Sequence, residues 1–189
     1  KNNKNKNIMI EIAFVGDIML ARGVGGYLSE NYSHSILSEP VKEVLAGADL
    51  CIGNLESPVA VNAKLYKKGA FKAYPESLKQ VNVFDIFSLA NNHIKDCGTE
   101  GAIETTEFLK KNSFEFCGLS SDQTMHVISL IKTVKEKKIA FFACAVPDCI
   151  KNEKDNDHPN VIDATSKKLL EAIRNQRDMV NYTIILVHG

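Results

Sequence analysis

The chain has 189 residues, Lys+Arg and Asp+Glu balance at 23 each, and the hydrophobic share is 44%. That fits one globular domain with a sizeable core. No basic excess points to nucleic acid and no acidic excess to a solvating tail, and with aromatics at 7% and no Trp a stacking platform for single strands is disfavoured.

The start, Lys1-Asn2-Asn3-Lys4-Asn5-Lys6-Asn7, is polar and reads as a disordered or cloning-derived end, leaving 8–189 as the domain. Ile8 to Val15 reads as the first strand, stopped by Gly16-Asp17. Gly23-Val24-Gly25-Gly26 matches neither the dinucleotide fingerprint nor the phosphate loop and reads as a flexible turn. Ser35 to Leu45 has helical spacing, with Ile36, Leu37, Val41, Val44 and Leu45 on one side and Gly47 as the stop. Asp49 to Gly53 is a short strand, followed directly by Asn54-Leu55-Glu56-Ser57-Pro58. Ala60 to Ala73 is Lys-rich and reads as an exposed hairpin or loop, and Pro75 opens a short helix to about Gln80.

Val83 to Ala90 reads as a buried strand that stops at Asn91-Asn92-His93 and, three residues on, Asp96. Gly98 and Gly101 frame the opening of a helix to about Lys111. Phe114 to Gly118 is a further short strand, and Met125 to Val134 pairs with Lys138 to Val146 across the charged turn Lys135-Glu136-Lys137. Cys149 to Asn160 reads as a long loop. Ala164 to Met179 is an amphipathic helix with Leu169, Leu170, Ile173 and Met179 inward, and Tyr182 to Val187 is an apolar strand ending in His188-Gly189. Alternating strands and helices with a hairpin insert predict an α/β domain with a mixed sheet.

Five cysteines lack any CxxC spacing, and an odd count argues against a disulfide framework. Cys51, Cys117 and Cys144 lie in apolar runs and read as small core residues. Cys97 sits in the polar loop, where a catalytic thiol is the minority reading. No apolar run is long enough to span a bilayer.

Asp17, Glu56, Asn92 with His93, and His188 each fall just past an apolar strand. The carboxyl ends of strands are where open α/β sheets bind ligands. Carboxylates, an amide oxygen and imidazoles hold divalent ions such as Mn, Fe or Zn, and an imidazole that is not a ligand can protonate a leaving oxygen. Each has a plainer reading. Asp17 could cap a helix, Glu56 could pair with Arg22 or a surface lysine, Asn92 could shape a turn, and His188 could be exposed. His34, His126 and His158 lie in polar or boundary contexts and read as surface or core-edge residues.

Gly16-Asp17-Ile18-Met19-Leu20-x-Arg22, Asn54-Leu55-Glu56-Ser57-Pro58, Phe71-Lys72-Ala73-x-Pro75, Ser88-Leu89-Ala90-Asn91-Asn92-His93-x-x-Asp96-x-Gly98-x-x-Gly101 and Val187-His188-Gly189 together resemble the bacterial capsule-synthesis CapA family. That family handles poly-γ-glutamate and is related to the calcineurin-like metallophosphoesterases. The resemblance covers nearly the whole chain from Ile8. It implies a four-layer α/β/β/α sandwich with mixed sheets, cut short at the C-terminus, and a location at the cell envelope. It also implies a divalent, two-metal centre with Asp17, Glu56, Asn92 and His188 as ligands, Glu56 as the bridging carboxylate and His93 assisting cleavage. Asp96 and Arg22 would stand behind these ligands. Met19 stands where many phosphoesterases carry a histidine.

Two functions follow as expectations. One is metal-assisted hydrolysis or transfer at a phosphoester or at the amide of a γ-linked glutamate polymer. The other is a non-catalytic component of a polymer synthesis or export assembly, binding polyglutamate or other capsule synthesis proteins.

Overall fold

The computed structural model describes residues 9–31, 35–65, 69–120, 126–150 and 158–189. The polar start 1–7, His34, Met125 and most of the 149–160 loop lie outside the described residues.

The first sheet is all parallel, with β1 (Ile12–Ile18), β2 (Leu50–Leu55), β3 (Ile86–Ser88) and β4 (Glu115–Cys117) side by side in chain order. Helices α1 (Arg22–Glu30) and α2 (Glu39–Ala46) connect β1 to β2, and α3 (Gly98–Lys111) connects β3 to β4. Between β2 and β3 the chain is irregular until a 3-10 turn at Pro75–Val81. Right-handed crossovers in a sheet of this order carry their connections over one face. The second sheet has β5 (Leu130–Val134), β6 (Lys137–Ala145) and β7 (Tyr182–His188), antiparallel then parallel. Its crossover carries α4 (Pro147–Ile150) and α5 (Lys167–Gln176).

Period-two alternation divides the core at β6. Ile139, Phe141, Ala143 and Ala145 join the cluster that holds Ile52, Ile86 and Phe87 of the first sheet. Ala140, Phe142 and Cys144 instead join Leu169 of α5, Val127 and Ile162. A strand buried on both faces reads as a continuous apolar run, which is why Ile139 to Ala145 shows no alternation in sequence. The hairpin turns on Lys135 and Glu136, with φ of 46° and 67°, as the twist of a two-residue connection requires. Lys135 there reaches Asp49 Oδ2 at 2.7 Å and Met9 O at 2.9 Å, tying the second sheet to the first at the end away from Asp17.

Several boundaries depart from the sequence reading. The strands form two sheets, as the resemblance implies, where the strand pattern alone predicts one, and the first of them is all parallel rather than mixed. The first strand runs on through Gly16 and Asp17 to Ile18, with a register shift between Phe14 and Asp17. The glycine-rich stretch is the body of α1 and not a flexible turn. Leu28 anchors it in the core, and a Cβ on Gly25 would stand 3.0 Å from the carbonyl of Leu20. Helix α2 starts only at Glu39, with Pro40 in its first turn, and it exposes Val41 and Val44 while burying Leu45. The 60–73 segment is not wholly exposed, because Ala60, Ala63 and Ala73 are buried. In α5 only Leu169 is buried and Leu170 faces out; the helix ends at Gln176, and Met179, in the 3-10 turn that follows, is exposed. Among the described residues no helix is long and apolar enough to cross a membrane.

Candidate metal centre

Parallel strands bring their carboxyl ends to one edge. Asp17 is delivered by β1 after its register shift and sits opposite Asn54 of β2. Glu56 follows β2, its N–H donating to Ile18 O at 3.1 Å. Asn91 to Cys97 form the turn that follows β3 and leads into α3. On β7, His188 stands opposite Ala145, so it points the same way as Ala143 and Ala145, toward the first sheet.

Ligand atoms of Asp17, Glu56 and His188 lie within 4.8 Å of one another. His188 Nδ1 is 3.7 Å from Asp17 Oδ1, and His188 Nε2 is 3.8 Å from Glu56 Oε1. Asn92 Oδ1 is 2.9 Å from His188 Nε2, which adds an amide oxygen to the same cluster. Two carboxylates, an imidazole and an amide oxygen make a donor set suited to a divalent ion. The two acids also press on each other. Burial first, then a hydrogen bond to the Asp17 carboxylate and the charge of that carboxylate, push the Glu56 carboxyl up to about 7. Asp17 and His188, though not Glu56 or Asn92, line a cleft of about 210 Å³ together with Phe14, Asn54 and Leu186. Two larger hollows, of about 510 and 530 Å³, lie elsewhere. Among the described residues only the Asp17–Glu56–His188 group brings three such side chains to ligand distance.

His93 belongs to an adjoining group. Its Nδ1 is 2.9 Å from Asp96 Oδ2, and the same oxygen accepts the Phe71 N–H at 2.7 Å. The Phe71 ring stands 4.2 Å from the His93 ring. Arg22 lies over Phe71 at 4.1 Å and donates from Nη2 to Gly69 O at 2.7 Å. Arg22 is therefore engaged with the 69–71 segment and through it with His93. Asp96 is 1% exposed, so its carboxylate orients the imidazole from a dry position.

Sequence reasoning missed Asn54 as a site residue. Its Nδ2 donates to Asp17 Oδ1 at 2.7 Å and faces His188 Nδ1 at 3.2 Å, and its Oδ1 accepts from Asn91 Nδ2 at 3.0 Å. The available signal was its place at the end of β2, two residues before Glu56. Phe71, quoted only as part of a pattern, is the platform between Arg22 and His93. Cys97 is fully buried against Gly101, with burial as the leading cause of a raised thiol pKa, which removes the catalytic-thiol reading. Cys51, Cys117 and Cys144 are buried core residues as expected. His126 is exposed, and His158 is half-buried near Ser120.

A capsule biosynthesis protein CapA of Bacillus anthracis is 29% identical over 120 residues, covering 60% of this chain and 29% of the relative. A PGA biosynthesis protein CapA of Bacillus subtilis (strain 168) is 32% identical over 112 residues, covering 55% and 29%. An uncharacterized protein, y4uA, of Sinorhizobium fredii is 28% identical over 142 residues, covering 69% and 29%. The chain thus spans under a third of the length of these relatives. The model of the family described as bacterial capsule synthesis protein PGA_cap matches residues 11–189, nearly all of the chain, and the chain belongs to that family.

Proposed function

We propose that this chain carries a divalent-metal centre that cuts or transfers an anionic polymer, poly-γ-glutamate, or a phosphoester during capsule synthesis. The observation that carries the reading is the meeting of Asp17, Glu56 and His188 within 4.8 Å, with Asn92 Oδ1 against His188. The name of the Bacillus subtilis relative, a PGA biosynthesis protein, supports the polymer. The division of β6 between two clusters supports a four-layer α/β/β/α sandwich. Exposed Ile185 and Val187 on β7 and Phe14 on β1 support a domain that is larger in the whole protein. The same reading puts residues 8–189 in one domain, at the cell envelope, beside other capsule synthesis proteins.

A divalent ion held there supplies Lewis-acid polarisation of the scissile group and an activated water. The protein's own part is positional and acid–base. Asp17, Glu56, Asn92 and His188 are the holding set. His93 donates a hydrogen bond from Nδ1 to Asp96, which leaves Nε2 as the nitrogen that exchanges a proton with the leaving atom. Phe71 and Arg22 keep that imidazole from turning.

A non-catalytic, polymer-binding role is the second reading. It is favoured by Asn54, whose N–H groups satisfy Asp17 and His188 without an ion, and by Met19 in place of a histidine. The deciding experiment loads the protein with Mn and offers it a generic phosphodiester and γ-linked glutamate oligomers. Turnover that is lost on chelation supports the enzyme. Binding of the oligomer with no turnover of either substrate supports the second reading.

A further inference from the structure

The two amides at the floor of the centre have fixed orientations. Asn91 is fully buried. Its Nδ2 donates to Leu55 O at 2.9 Å, and its Oδ1 accepts the His93 N–H at 3.0 Å. Exchanging its oxygen and nitrogen would set carbonyl against carbonyl and N–H against N–H, with no water to relieve either. Asn91 Nδ2 also donates to Asn54 Oδ1, and this fixes Asn54 in turn. Its nitrogen must face Asp17 and His188, as the acceptor-only carboxylate of Asp17 also requires.

The β2 side of the centre therefore presents N–H groups, at 2.7 and 3.2 Å from two of the ligand residues. An amide nitrogen offers no lone pair to a cation, and its hydrogens carry partial positive charge. Paired ions need a ligand between them and stand about 3.5–4 Å apart. Among the described residues, Asp17, Glu56, Asn92 and His188 are enough for one ion with open positions, but divided between two they leave each ion short of donors.

We propose that the centre of this chain takes a single divalent cation, and that Asn54, held nitrogen-inward by Asn91, is the residue that limits it to one. This rests on the metal reading above and departs from the pair of ions that the resemblance to metallophosphoesterases implies. Asn54 is a positioning residue here, since it orients Asp17 and His188 and touches no substrate.

The test is ion counting with the 189-residue chain. Equilibrium dialysis against Mn²⁺ should saturate at one ion per chain, with the six-line electron paramagnetic resonance spectrum of an isolated ion. Asn54→Asp replaces the inward N–H groups with a carboxylate of the same shape and should admit a second ion, with exchange-coupled spectra. Asn54→Ala removes the N–H groups without adding a ligand and should stay at one. Two coupled ions in the wild type overturn the inference and leave the metal reading standing. No ion in the wild type overturns the metal reading and the inference with it. An Asn54→Asp protein that folds and still binds one ion overturns the role of Asn54. If that variant does not fold, the wild-type count decides.

Discussion

His188 Nε2 meets Asn92 Oδ1 at 2.9 Å across 96 residues of sequence. One polar contact thus joins the last strand of the second sheet to the loop that follows β3 of the first. Each group satisfies the other, and both belong to the proposed ligand set.

Removing either ligand gives the first prediction. His188→Ala should weaken Mn²⁺ binding by about 100-fold, and Asn92→Ala by about tenfold, because an imidazole is the stronger donor. Isothermal titration calorimetry on both variants checks this. Unchanged affinity in His188→Ala would take that residue out of the centre.

The His93 group is expected to act on rate and not on metal. His93→Ala should lower turnover by about 10²–10⁴ in a metal-loaded active protein while Mn²⁺ affinity stays within about twofold of wild type, since His93 lies outside the ligand set. Asp96→Asn and Phe71→Leu disturb the imidazole's orientation and should cost less than His93→Ala. Single-turnover rates and metal titrations on the same samples separate the two effects. Loss of metal binding in His93→Ala would make it a ligand.

Glu56 sets a pH dependence. Its folded pKa of about 7 stands above the ordinary 4.5, so the folded state keeps a proton that the unfolded state releases. The stability this contributes is whole below pH about 4.5 and is lost as pH rises through about 7. The metal-free chain should therefore melt at a lower temperature at pH 8 than at pH 5. Glu56→Gln, which cannot ionise, should flatten that slope. Thermal melts monitored by circular dichroism decide it, and equal slopes in the two proteins would contradict the assignment.

Gly118 provides a test of the scaffold. Its φ is +107°, and a Cβ there would stand 2.7 Å from Ala90 N and 3.0 Å from Ala143 Cβ. Gly118→Ala thus adds backbone strain and wedges β6 away from the loop that carries Asn91 and Asn92. The expected loss is about 2–3 kcal/mol, a fall in Tm of roughly 5–10 °C. Chemical denaturation measures it directly, and a change below about 0.5 kcal/mol would mean the sheets yield there at little cost.

Strand ends were legible because polarity changes abruptly at them: an apolar run stops at Asp17, Glu56, Asn92 or His188, and parallel packing then gathers the tips. What escaped the sequence were relations between partners. Asn54 draws its role from Asp17 and Asn91, and Phe71 from Arg22 and His93, and nothing in local spacing links 54 with 91 or 71 with 93. The helix at Gly23 to Gly26 was hidden for a similar reason. Propensity disfavours it, and the core burial of Leu28 that holds it is a tertiary fact. Leu170 and Met179 misled because helical spacing marks a stripe but not its width.

The hairpin between β5 and β6 closes over two residues, whereas the contact of Asn54 with His188 spans 134. Contacts so distant in the chain form late in folding, once loop-closure entropy has been met elsewhere. A refolding chain should then pair its strands before its ligands come together, so that Mn²⁺ uptake lags the recovery of the far-ultraviolet signal. Interactions made only after the folding barrier leave the folding rate alone and slow the reverse step. A bound ion would consequently lengthen the lifetime of the native chain, as a latch closed last, without hastening its formation.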